Sequence, residues 1–164
     1  MPVKQSASKE EFLRALGLSD QVPEDKRKLR AMWEEVVNYW VTHFETSSRD
    51  ILKSEYAMNP SVQRPYKWAH LDPTFIDNAI SEIWTNAGPW PRHFYDRGHS
   101  QDRKVYNWVL KWLLWHVCRY RDWRNRRNKN TTTVAVSTST NPGPKTIEDS
   151  HAMPPHDYWA TVMN

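Results

Sequence analysis

A small all-α bundle of four to five helices with a disordered C-terminal tail is the fold this sequence predicts. Three observations predict it. Apolar residues recur at steps of 3 and 4 through several separate stretches, the spacing of one-sided helices. Those stretches are bounded by helix punctuation: Ser8 with Glu11, Gly17, Pro23, Asp72-Pro73 and Gly88-Pro89. The chain also holds only 4 Gly in 164 residues, too few for a fold built from tight β turns. Its 10 Trp, 7 Tyr and 4 Phe supply a core of large area from few residues.

Residues 1–7 are expected to be a disordered lead. Ser8 and Glu11 form a capping-box pattern, Phe12, Leu13 and Leu16 make a short apolar face, and Gly17 suits a left-handed terminus, so a helix is expected over 9–16. Pro23 suits the first turn of the next helix, and Glu24 and Asp25 complement its positive end. Leu29, Met32, Trp33, Val36, Val37, Trp40 and Phe44 then carry that helix to residue 44. Lys26, Arg27, Lys28 and Arg30 are followed closely by Glu34 and Glu35, and are read as a solvated helix face.

A short helix is expected over 47–57. Asn59-Pro60 and Arg64-Pro65 break regular structure, so 59–71 reads as an ordered loop with Tyr66, Trp68 and Leu71 buried. Asp72 as N-cap with Pro73 after it opens a core helix over 73–87, with Phe75, Ile76, Ala79, Ile80, Ile83 and Trp84 in two apolar rows. The connection over 88–100, with two prolines in its first half, is expected to be a loop pinned by Trp90 and Phe94.

The last helix is expected over 101–127, and the two longest helices are expected to pack against 73–87. Val105, Val109, Leu113, Val117 and Tyr120 share one face, flanked by Trp112, His116 and Trp123 on one side and by Tyr106 and Leu110 on the other. Trp115 falls off this stripe, on the side of Lys104, Lys111 and Asp122, and is expected to need a partner of its own. The densest apolar run, 105–117, is too short and too interrupted to cross a membrane. The expected organisation is a single helical domain over 8–128 and a disordered Thr/Ser/Pro-rich tail over 129–164, with a short aromatic docking segment at 154–163.

Charge is distributed unevenly. From Arg103 to Lys129 nine basic residues stand against one acid, so the remainder of a chain with net charge +4 is net acidic. The single cysteine, Cys118, allows no internal disulfide and fits a reducing compartment, and the N-terminus carries no apolar signal segment.

No catalytic residue and no cofactor is expected. The sequence has no phosphate-cradling Gly-rich loop, no GxSxG and no Cys or His pair at helical metal spacing. His93, Asp96 and His99 sit at three-residue spacing with His70 and Asp72 upstream, but no Cys pair or HExxH-type helical pair supports them, so no metal ligand is assigned. The bland expectation is that Asp96 pairs with Arg92 or Arg97. Cys118 reads as a small buried side chain, and His116 as a core histidine.

Arg119, Arg121, Arg124, Arg126, Arg127 and Lys129 carry the sharper expectation. Interleaved with Tyr120 and Trp123, they fit phosphate contact and base stacking, and so a non-enzymatic nuclear module that binds nucleic acid. The run equally fits a nuclear-import signal. The alternative is an adaptor that binds an acidic or apolar protein partner, or itself, through Trp115 or through Tyr158 and Trp159.

Overall fold

A computed structural model describes residues 2–99 and the backbone of 107–133, with side chains through Arg121. Helix α1 spans Lys9–Leu16, α2 Pro23–Tyr39, α3 Ser54–Ala57, α4 Pro73–Asn86, α5 Pro89–Gly98 and α6 Trp108–Thr133. Among the described residues there is no strand, only the isolated bridges Leu52–Leu71 and His99–Asn107. The fold is therefore all-α. No helix among these residues is long and apolar enough to cross a membrane.

Local chemistry sets the early elements as expected. The Ser8 hydroxyl accepts from the Glu11 amide at 3.2 Å while the Glu11 carboxylate accepts from the Ser8 amide at 2.9 Å. Gly17 closes α1 at φ 67°, a conformation costly for any residue with a Cβ. Helix α2 buries Leu29, Met32, Trp33 and Val36, then widens into one π turn over Trp40–Phe44. The wider turn brings Trp40 and Phe44 into a parallel stack at 4.1 Å, and both are buried. The basic group at the start of α2 does form a solvated face, since Arg27 pairs with Glu24, Lys28 with Asp25 and Arg30 with Glu34.

Four expectations are corrected. The single helix expected over 47–57 is a 3-10 turn, Arg49–Ile51, and the one-turn α3, because Leu52 between them is extended and bridges Leu71. The Lys53 amide donates to the His70 carbonyl and the Asp72 amide to the Ile51 carbonyl, both at 2.9 Å. Arg49 gathers the following loop by donating to the carbonyls of Tyr56, Ala57, Asn59 and Val62.

The expected loop over 88–100 is helix α5. Pro89 and Pro91 lie in its first turn, where amide hydrogens have no intrahelical acceptor to lose. Pro91, Phe94, Tyr95 and Gly98 then bury one face at helical spacing. The helix is bound to α2 through Glu35, whose carboxylate accepts from the Gly88 amide at 2.8 Å and from the Tyr95 hydroxyl at 3.0 Å. Burial and the Glu35 charge hold the Tyr95 phenol far above its usual titration range.

The last helix starts and ends later than the expected 101–127. Asn107, 0% exposed, stops it at the N-terminal side: its Oδ1 accepts from the Leu110 amide at 3.2 Å and its Nδ2 donates to the Tyr95 carbonyl at 2.8 Å. Gly98 makes room for this cap, since a Cβ there would lie 2.3 Å from Asn107 Oδ1 and 2.7 Å from Val109 Cγ2. At the other end α6 continues through Thr133, six residues beyond the expected terminus, and into what reads as tail from residue 129. The remainder of that tail, 134–164, lies outside the described residues, as do 100–106.

Replacing Asn107 by Ala removes the cap and leaves the buried Tyr95 carbonyl without its donor, at an expected cost of about 2–3 kcal/mol. Urea denaturation checks this. A loss under about 0.5 kcal/mol would show that the cap is dispensable.

Helices α2 and α6 pack along each other, α5 lies on both, and α4 touches both as expected. The N-terminal lead, expected to be disordered, is instead laid on this core. Val3 and Ala7 pack against buried residues, and the Ala7 amide donates to the Lys4 carbonyl at 3.0 Å.

Candidate functional site

The site is built where α6 changes from core to surface. Trp108, Val109, Leu110, Trp112, Leu113, Leu114, Val117 and Cys118 are all buried, so this part of the helix is enclosed on every side. That is more than the one-sided stripe implies, because α1 and the N-terminal strap over 2–7 cover the flank opposite α2. Trp112 is sandwiched there. It stacks on Phe12 at 3.8 Å and 12°, and its indole N–H donates to the Ala7 carbonyl at 3.0 Å.

His116 lies one turn on, 3.8 Å from the Trp112 ring and 4.7 Å from that of Trp115. Burial holds its imidazole down to about 4. The Arg119 charge pushes the same way, against an opposing pull from the backbone of Ala7 and Gln5. It is a neutral core histidine near pH 7. Cys118 is buried with its sulfur 3.9 Å from the Tyr66 carbonyl oxygen.

Trp115, which was expected to need a partner, finds one within the chain. With the Gln5 amide oriented to satisfy both neighbours, its oxygen accepts from the indole N–H of Trp115 at 2.8 Å and of Trp68 at 3.1 Å. The outer face of Trp115 carries the guanidinium of Arg119, 4.5 Å from the ring centroid.

At Arg119 the enclosure ends, and this side chain is exposed. Its neighbours in sequence are not. Tyr120 is half-buried, edge-on to Trp33 at 6.4 Å, and Arg121 is ion-paired with Glu45 at the end of the π turn. Tyr120 and Arg121, both in the set expected to meet nucleic acid, thus have partners within the chain. Trp123, Arg124, Arg126, Arg127 and Lys129 lie on the continuing backbone of α6, about 18 Å of helix from residue 122 to 133. Tyr158 and Trp159 lie outside the described residues.

The structure does not gather the His93, Asp96 and His99 group into a metal centre. Among the described residues no three His, Cys, Asp or Glu side chains come together to hold an ion. Asp96 pairs with neither Arg92 nor Arg97. It accepts from the Trp84 indole at 2.7 Å, while Arg92 donates to the Thr85 carbonyl and Arg97 to the Leu16 carbonyl.

Four residues that organise the fold escape motif reading: Gln5, Glu35, Arg49 and Asn107. Only Asn107 has a local signal, an Asn directly before an aromatic-rich helix. The others act on groups distant in sequence. No family model matches this chain, and no curated protein or solved structure matches it either.

Proposed function

We propose that this protein is a non-enzymatic nuclear module that binds nucleic acid through the C-terminal half of α6. One observation carries the proposal. Arg119, exposed and held by the flat face of Trp115, stands where α6 leaves the core, and the helix runs on through Arg124, Arg126, Arg127 and Lys129 against the single acid Asp122. A guanidinium held by its face keeps its N–H edges for phosphate oxygens. Arg49, Arg64, Arg92 and Arg97 instead donate to carbonyls, Arg121 to Glu45, and Arg27 and Arg30 pair with Glu24 and Glu34 on the surface of α2. The same arginine run has the composition of a nuclear-import signal.

The test is fluorescence anisotropy with labelled oligonucleotides from about 50 to 300 mM salt. The wild type is compared with a variant carrying Arg119, Arg124, Arg126 and Arg127 as Gln. Arg121 is kept, because its loss strands Glu45. Micromolar binding is expected, with a log-log salt slope of roughly −3 to −4 that flattens in the variant. Absence of binding at the lowest salt retires the proposal.

A protein-docking reading keeps one observation, the 63% exposure of Trp90 on α5. It predicts association that salt leaves nearly unchanged and that Trp90→Ala weakens.

A further inference from the structure

Resting on that nucleic-acid reading, we propose that the phosphate-binding surface crosses from α6 onto the segment over 64–68, where Arg64 and Lys67 contact the nucleic-acid backbone beside Arg119. Three contacts lay this segment along α6, running opposite to the helix. Arg64 and Arg121 share Glu45, whose carbonyl accepts from Arg64 Nη1 at 2.9 Å and whose carboxylate pairs with Arg121. Tyr66 is buried, with its carbonyl oxygen 3.9 Å from the Cys118 sulfur. Trp68 and Trp115 share the Gln5 oxygen. The segment therefore follows α6 from residue 121 back to residue 115, about 9 Å along the axis, and Arg119 stands within that stretch.

Tyr66 and Trp68 pack on the core, while Arg64 and Lys67 are exposed, as Arg119 is. The two cations are carried on a fixed backbone. The Lys67 amide donates to His70 Nδ1 at 3.3 Å, and its carbonyl accepts from the His70 amide at 2.9 Å. Arg64 is steadied by the Glu45 carbonyl and by the Tyr66 ring, 5.8 Å from its guanidinium carbon to the centroid. That single bond leaves most of its N–H donors for another acceptor.

Among the described residues no carboxylate pairs with Arg64, Lys67 or Arg119. Glu45, at the edge of the segment, is already met by Arg121. Three cations gathered from two parts of the chain thus lack a counter-charge within it, and a phosphodiester chain supplies one at regular spacing. A strand of a duplex carries a phosphate about every 3.4 Å, so a surface of this length meets roughly two or three of them. Such contacts carry no sequence information, so the contribution of Arg64 and Lys67 is the same on any sequence.

The experiment uses the full chain, two labelled duplexes of unrelated sequence and about 20 base pairs, and a single strand, titrated from about 50 to 300 mM salt. Lys67→Gln is expected to weaken binding roughly two- to fourfold and to flatten the log-log salt slope by about 0.7–0.9 on every probe. Adding Arg64→Gln should remove about half of the wild-type slope and weaken binding about tenfold. Lys67→Arg should keep the wild-type slope. Thermal unfolding separates contact from packing: Lys67→Gln should hold the melting temperature within about 2 °C. Arg27→Gln controls for net charge, since Glu24 already pairs with that cation, and should move the slope by less than about 0.3.

Wild-type slopes for Lys67→Gln and for the double variant overturn the extended surface while leaving the nucleic-acid reading intact. So does an equal change for Arg27→Gln. Should the double variant unfold, Lys67→Gln alone decides. Failure of the wild type to bind any probe overturns both.

Discussion

Trp112→Ala is expected to destabilise the protein by about 3–5 kcal/mol, the range for truncating a fully buried large aromatic side chain. Trp112 is 0% exposed, lies face to face with Phe12 and donates to the Ala7 carbonyl. Its removal opens a cavity between α1 and α6 and at the same time unlatches the N-terminal strap. In urea the midpoint should fall by roughly 2 M. Trp112→Phe keeps much of the ring area while losing the N–H and part of the indole bicycle, so it should cost appreciably less. A loss below about 1.5 kcal/mol for the alanine variant would mean that α1 closes over the vacancy, and that the strap is held by its other contacts. The consequence reaches the candidate site. Gln5, which fixes Trp115, sits in the same strap, so the alanine variant should also loosen Arg119 from its ring.

The second large effect is on the pH dependence of stability. His116 titrates near its ordinary 6.5 in the unfolded chain but only at about 4 when folded, chiefly because burial disfavours the charged ring. The unfolded state therefore takes up the proton first as pH falls. Stability from this residue is fully present above pH 6.5, declines through the window from 6.5 to 4, and reaches its full loss below 4. The shift corresponds to a loss of up to about 3 kcal/mol. Carboxylates also titrate at the acid end, so the comparison that isolates His116 is between wild type and His116→Gln, both unfolded in urea from pH 4 to pH 8. The wild-type curve should fall more steeply by most of that amount. Parallel curves would refute the assignment, showing that His116 gains no protection from the proton on folding.

Both effects act where α6 is wrapped by the strap, a place that sequence patterns mark only in part. The stripe of Val109, Leu113 and Val117 is legible as a core face, and Trp112 and His116 as its flank. That Leu114 is also buried follows from contacts with segments remote in the chain. The prolines of α5 mislead for a related reason. In a linear reading they mark a break, whereas in a first helical turn they cost nothing, and only the apolar spacing of Pro91, Phe94, Tyr95 and Gly98 tells the two cases apart. The short helix expected over 47–57 fails because the Leu52–Leu71 bridge and the Arg49 donors involve carbonyls and amides that no local propensity anticipates.

The candidate site divides along the same line. Its chemistry, arginine interleaved with aromatic rings, is written in consecutive residues and needs no fold to be seen. Which members are available is a tertiary matter. Tyr120 and Arg121 are taken by Trp33 and Glu45, and Trp115 is held by Gln5, because α2 and the strap happen to lie against those positions.

By itself the sequence determined the helix periods, the capping of α1 and α4 and the segregation of charge, since each depends on side chains within a turn or two of one another. The tertiary structure decided where α6 begins and which partner Arg121 takes. Those outcomes depend on Asn107 meeting Tyr95 and Arg121 meeting Glu45, encounters between groups that only the folded chain brings together.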